Sequence, residues 1–163
     1  MERMFLLLGS NLNDRIGMVK TAGGYLQSHF GEPISAGKLY SSPSWGDPTQ
    51  PDFINQILSF ETSKSAYDVL EIILEIENKL GRIRNPENRN AGRTIDIDIL
   101  YFGTQIISET PILEIPHPRI AHRRFVLLPM TEIAPEFVHP SLGLSQSELL
   151  ALCEDQIPVT ALP

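Results

Sequence analysis

Asp96 and Asp98 stand two residues apart in GRTIDIDILYFG, residues 92–103, with Ile95, Ile97 and Ile99 alternating around them. A period-two alternation is the pattern of a half-buried strand, so both carboxylates share one face. Side chains at i and i+2 of a strand lie roughly 6.5–7 Å apart. Two like charges at that spacing repel by about 2.5 kcal/mol at an effective dielectric of about 20. A strand with no task beyond packing gains nothing from this. Besides a merely solvated strand face, two uses remain open. The acids pair with arginines on neighbouring strands, or they hold a divalent cation, to which carboxylates are hard oxygen ligands alongside substrate phosphates. With two oxygens each, the pair could also bridge two ions about 3.5–4 Å apart.

Arginines surround this strand. Arg82, Arg84, Arg89 and Arg93 precede it, and Arg119, Arg123 and Arg124 follow. The window 82–124 holds seven of the 13 basic residues, all arginine, against five acids, so it is +2 within a chain of net charge −7. Arginine suits bidentate contact with phosphate. A metal with several arginines is the equipment of phosphoryl transfer, where positioning and charge neutralisation dominate; taken singly, Arg84 and Arg89 read as solvated loop residues. No G-x-x-x-x-G-K-[ST] occurs, and the lone glycine of GSN at 9–11 reads as a tight turn, so side chains would have to hold any nucleotide.

Other candidates are weaker alone. Trp45, the sole tryptophan, sits in the loop PSWGDPTQPD and reads equally as a core edge or a ligand contact. Phe53 and Asn55 alternate on one strand face. A ring beside a carboxamide could stack on a flat heterocycle and bond its edge, although ordinary packing is the simpler reading. His117 is fixed between two prolines. No histidine pair has metal-ligand spacing, Cys153 is alone, and no nucleophile elbow appears.

The elements that must carry these groups follow from periodicity. Residues 4–8 read as a buried strand. SNLND caps a helix over 14–30, with Ile16, Val19, Leu26 and Phe30 at helical spacing and Gly23 and Gly24 placed for close packing on a sheet. ISAGKLYSS and FINQILSFET read as strands. Ser65 and Asp68 form a capping box opening a helix over 66–80, with Leu70, Ile73, Leu74 and Glu77 on one face. Two loops, GRIRNPENRNAGR and IPHPRIAHRRF, flank the aspartate strand, and short helices follow near 125–132 and 145–153. The 163 residues, 42% hydrophobic and 20% charged, predict one domain spanning 1–163, α+β or mixed α/β. The acidic balance disfavours nucleic acid, MFLLL is too short for a leader or a membrane span, and the lone cysteine fits a reducing compartment. We expect a soluble cytoplasmic protein.

Taken together, LLLGSNLNDR, YSSPSWGDPTQPDFINQI, EIENKLGRIR, GRTIDIDILYFG and IPHPRIAHRRFVLLPMTEIAPE resemble the 6-hydroxymethyl-7,8-dihydropterin pyrophosphokinase family of folate biosynthesis, in the family's order over nearly the whole chain to about residue 140. The resemblance implies an α/β sandwich with a ferredoxin-like core, a mostly antiparallel sheet with helices on its faces. It implies transfer of pyrophosphate from ATP to the pterin hydroxymethyl oxygen, releasing AMP, by a monomer acting on small molecules, with neither nucleic acid nor membrane as partner. By motif, Asp96 and Asp98 would hold two Mg²⁺ ions. Arg82 and Arg93 would contact ATP phosphates and serve catalysis, with Arg84 and Arg89 on a closing loop. Glu77, Ile99, His117 and Arg123 would complete the nucleotide site. Ser44, Trp45, Phe53, Asn55 and Phe125 would form the pterin pocket, the ring stacked between the two phenylalanines. The family's R-W-G-P-R before the strand is RNAGR here, with Asn90 and Gly92 as departures. The alternative is another Mg²⁺-dependent phosphotransferase or nucleotidyltransferase on a ferredoxin-like fold.

Overall fold

The computed structural model describes residues 1–44, 46–82 and 94–163. Trp45, Arg84, Arg89 and Arg93, together with the departures at Asn90 and Gly92, lie outside the described residues. The strands are β1 (Glu2–Ser10), β2 (Ser35–Ala36), β3 (Tyr40–Ser42), β4 (Phe53–Thr62), β5 (Asp96–Phe102), β6 (Ile107–Glu109), β7 (Leu113–Ile115) and β8 (Thr160–Ala161). The helices are α1 (Arg15–Phe30), α2 (Ala66–Lys79), α3 (Arg124–Ile133) and α4 (Gln146–Leu152), with a 3-10 turn at Ile120–His122.

The main sheet runs β5-β1-β4-β3-β8, with β2 also on β4, and β6 and β7 form a separate hairpin. All its pairings are antiparallel. With β2 and β3 counted as one interrupted strand, the order β-α-β-β-α-β and this adjacency are those of a ferredoxin-like core. The sequence reads ISAGKLYSS as one strand. The break is a one-residue slip in the pairing: Ala36 lies opposite Leu58, whereas Tyr40 lies opposite Asn55. Just past Ala36, the Gly37 N–H donates to the Ile57 carbonyl at 2.8 Å, and a Cβ there would sit 3.1 Å from that oxygen.

Alternation along the strands sorts the side chains into two cores. Met4, Leu6, Leu8, Ile54, Leu58, Ile97 and Ile99 pack under α1 and α2. Phe5, Leu7, Ile57 and Tyr101 pack under α3 and α4. Helices therefore cover both faces. Asp14 caps α1 by accepting from Gly17 N at 3.1 Å, and Ser65 with Asp68 forms the expected box on α2. The buried stripe of α1 is Val19, Ala22 and Leu26. Ile16, which the spacing assigns to the core, is 41% exposed in the first turn. Gly23 meets Leu58 at ordinary contact distance, whereas Gly24 faces open space, so close packing accounts for only one of them.

Candidate active site

β5 ends the main sheet on one side, and its face pattern follows from its pairing with β1. Leu7 pairs with Asp98 and Gly9 with Asp96, so both aspartates continue the Phe5–Leu7 face, the side covered by α3 and α4. Ile97 points the other way into the α1–α2 core. Its N–H is taken by a side chain from across that core: Glu77 Oε2 accepts it at 3.0 Å.

Glu77 reaches β5 because of how α2 ends. Gly81 has φ +83°; its N–H bonds the Asn78 carbonyl at 3.1 Å, and Arg82 N bonds the Glu77 carbonyl at 3.0 Å. This is a Schellman turn on a left-handed glycine. It folds Arg82 back over its own helix, where Arg82 Nη1 donates to Glu77 Oε2 at 2.5 Å and to Asp96 Oδ1 at 2.7 Å. Glu77 is only 2% exposed. Burial raises its pKa, Arg82 and the Ile97 N–H pull it down, and Asp96 adds to the rise. Burial opposes the Arg82 charge, yet Asp96, Glu77 and Asp98 more than compensate and hold its pKa above the usual value.

From the opposite side comes the segment after β7. His117 N donates to the Leu100 carbonyl at 3.0 Å, anchoring the segment to β5. His117 Nδ1 accepts from Arg119 N at 3.2 Å, so the neutral ring carries its proton on Nε2. Burial, then the nearby Arg123 charge, lowers its pKa to about 4. The ring is neutral at pH 7.

These groups wall one cavity of about 690 Å³, lined in part by Glu77, Arg82, Asp96, Asp98, Ile99, His117 and Arg123. The structure thus brings together every described residue that the resemblance assigns to nucleotide and metal. Leu70 and Leu74 of α2 and Ile112 and Leu113 of the hairpin form an apolar end to it. Among the described residues no group of three or more His, Cys, Asp or Glu side chains converges as a metal cage. Two hard carboxylates in an open cavity suit a cation that completes its shell with phosphate oxygens and water, as Mg²⁺ does.

The pterin candidates lie beside this cavity, along the same sheet face. Gly9 pairs with Asp96 on one side and Asn55 on the other, so Asp96, Gly9 and Asn55 form one row. Asn55 is buried and donates from Nδ2 to Ser42 Oγ at 3.1 Å; Ser44 is also buried. Phe53 is half-buried two residues before Asn55 on this face. Phe125, half-buried in the first turn of α3, packs on the core that includes Ile57, with the Arg123 guanidinium 5.4 Å from its ring centre.

Sequence reasoning missed Gly9. It is no tight turn but a residue inside β1, and a Cβ there would lie 2.7 Å from Asn55 Oδ1. The signal was the GSN at a strand end, which gains meaning only from cross-strand register. Arg119, a further cavity-wall residue, was visible in PHPR but carried no assigned role. The apolar hairpin wall left no periodic signal, because β6 and β7 are three residues each.

Comparison with known proteins agrees with this geometry. The model of the 7,8-dihydro-6-hydroxymethylpterin-pyrophosphokinase family matches residues 5–135. A 2-amino-4-hydroxy-6-hydroxymethyldihydropteridine pyrophosphokinase from Methylorubrum extorquens is 40% identical over 140 residues, covering 85% of this chain and 86% of its own. The protein of the same name from Porphyromonas gingivalis is 34% identical over 144 residues, covering 86% and 95%. Among solved structures, an HPPK-DHPS in complex with substrates superposes over 93% of this chain with a TM-score of 0.73 at 15% identity. The wild-type Plasmodium falciparum HPPK-DHPS with pteroate also scores 0.73, at 16% identity. This chain spans 43% and 42% of those two longer chains, and the likeness to them is one of fold. The match over most of its length, and over most of its bacterial relatives, places the chain in the 7,8-dihydro-6-hydroxymethylpterin-pyrophosphokinase family.

Proposed function

We propose that the row Asp96–Gly9–Asn55 is the reaction axis of this pyrophosphokinase of folate biosynthesis, with nucleotide on the Asp96 side and pterin on the Asn55 side. The carrying observation is that seven residues chosen for nucleotide and metal wall one cavity, and that Gly9 joins their floor directly to Asn55. The main sheet draws strands from both ends of the chain, which supports reading residues 1–163 as one catalytic domain. The transferred group is the β,γ-pyrophosphoryl of ATP. The pterin hydroxymethyl oxygen bonds to Pβ, the bond from Pβ to the α–β bridging oxygen breaks, AMP leaves with that oxygen, and the hydroxyl's proton passes by way of Asp96 to solvent.

Each residue then has a task. Asp96 and Asp98 hold Mg²⁺, two ions in this reading, with the nucleotide's phosphate oxygens; bound there, the metal supplies charge neutralisation on those oxygens. Arg82 stands over the same oxygens, and Arg123 adds a second positive charge. Arg84, Arg89 and Arg93 are assigned to the phosphates on the strength of the family motif. His117 offers Nε2–H as a neutral donor to a phosphate oxygen. Leu70, Leu74, Ile99, Ile112 and Leu113 take the adenine. Asn55 reads the polar edge of the pterin, Ser44 and Trp45 border it, and Phe53 and Phe125 stack on its faces. Asp96, at the junction, accepts a hydrogen bond from the attacking hydroxyl. No described helix is long and apolar enough to cross a membrane. The acidic balance argues against a nucleic-acid partner, the lone cysteine fits a reducing compartment such as the cytoplasm, and a monomer is assigned on the strength of the family resemblance.

The test is AMP formation from ATP with and without 6-hydroxymethyl-7,8-dihydropterin and Mg²⁺. AMP is expected only when all three are present. AMP without pterin, or ADP with it, overturns the reaction.

A further inference from the structure

Glu77 does not sit in the cavity as an ordinary ligand contact. Its Oε2 already accepts two hydrogen bonds, from Ile97 N at 3.0 Å and from Arg82 Nη1 at 2.5 Å. The same Arg82 nitrogen also donates to Asp96 Oδ1 at 2.7 Å. One guanidinium is therefore shared between two carboxylates, one of which is a proposed cation ligand. The Schellman turn at Gly81 fixes the backbone of Arg82 against Glu77, so the sharing is built into the end of α2 and is not a chance surface pairing.

This arrangement has a consequence for cation binding. Arg82 and a divalent cation compete for Asp96. A cation that takes the Asp96 oxygen must displace a guanidinium that is itself largely buried, its side chain 10% exposed. Stripping a buried charge of its only partner costs several kcal/mol, and a second partner that stays in place removes most of that cost. Resting on the cation site at Asp96 and Asp98 described above, we infer that Glu77 is a positioning residue: it retains Arg82 when Asp96 turns to the cation, and through Ile97 it fixes the strand between the two aspartates. Glu77 would thus set cation affinity without touching the nucleotide.

The experiment measures binding of Mn²⁺ alone by calorimetry or electron paramagnetic resonance, with no nucleotide present so that a lost phosphate contact at Arg82 does not enter the readout, after thermal melts have checked each variant's fold. Glu77→Gln should weaken Mn²⁺ binding by about 5–20-fold, because Arg82 then falls wholly to Asp96. Adding Arg82→Ala to that variant should bring Mn²⁺ affinity back to within about twofold of wild type, the competitor having gone. The affinity of a non-hydrolysable ATP analogue without Mn²⁺ should be unchanged in Glu77→Gln. Wild-type Mn²⁺ affinity in Glu77→Gln overturns the inference, as does a loss that persists once Arg82 is removed, or a loss of analogue binding without Mn²⁺. If Glu77→Gln does not fold, Arg82→Ala alone decides: affinity at or above wild type supports the competition, and weakened affinity overturns it. Asp96→Asn separates the two levels. If it binds Mn²⁺ as well as wild type, the cation site itself fails; if it loses Mn²⁺, that site stands and the Glu77 results are read on their own.

Discussion

The cleft at β5 and the cluster around Asn55 beside β3 meet at Gly9, yet they are built on opposite principles. The cleft is assembled from charges that conflict: two aspartates on one strand face, a buried Glu77, and Arg82 stretched between them. The Asn55 side is held by neutral contacts. Asn55 is oriented by Ser42, and its amide lies so close to Gly9 that a Cβ there would come within 2.7 Å of Oδ1. The charged side is suited to a ligand that changes charge during reaction, and the neutral side to one that must only be recognised and held still.

That contrast can be tested most forcefully at the aspartates. Asp96→Ala or Asp98→Ala should lower turnover by about 10³-fold or more while the melting temperature stays within a few degrees, because each deletion also relieves like-charge repulsion. AMP release and a thermal melt check both; retained turnover would break the assignment of the charged side.

Next in size is a pH effect confined to the cleft. His117 has a folded pKa of about 4 against a reference of 6.5. The unfolded chain binds the proton first, so stability falls as pH drops from about 6.5 to about 4, by up to about 3 kcal/mol. Denaturant unfolding at pH 7 and pH 4 measures the drop, and His117→Asn should remove its share. An unchanged pH dependence in that variant would refute the burial argument.

Gly9→Ala probes the neutral side. Its Cβ must displace the Asn55 amide, so the pterin KM should rise about tenfold, equivalent to about 1.4 kcal/mol, with the ATP KM unchanged. Equal changes in both would erase the division between the two regions. The smallest effect belongs to neither. Ser65→Ala removes the cap of α2 and should cost about 1 kcal/mol of stability in denaturant melts, leaving both KM values alone, because the Schellman end of the helix, which carries Glu77 and Arg82, lies four turns away.

Much of this was legible in one dimension. The alternation through Ile95–Ile99 gave β5 and the shared face of its aspartates, because a period of two admits few other structures. Capping chemistry gave α2. What stayed hidden depended on pairing. Nothing local marks Gly9 as facing Asn55 46 positions away, since only the antiparallel register of β1 and β4 brings them together. The encounter of Glu77 with Arg82 was written in LGR, a glycine just past a helix end, but its meaning required β5 to lie alongside. The hairpin wall was missed because three-residue strands carry too little pattern to read. Ile16 was misplaced because helical spacing gives a direction around the axis and not how far the sheet extends beneath it.

The capped edge of β5 has one more consequence. A strand at the margin of a sheet offers its unpaired backbone groups to any other chain that comes near, and such margins seed aggregation. Here the Ile97 N–H is already occupied by a side chain from α2, and the adjoining face bristles with carboxylates. The groups proposed to hold a triphosphate also make this margin a poor template for a stray strand, so Glu77→Ala, which uncovers the Ile97 N–H, should leave the protein more prone to self-association at high concentration.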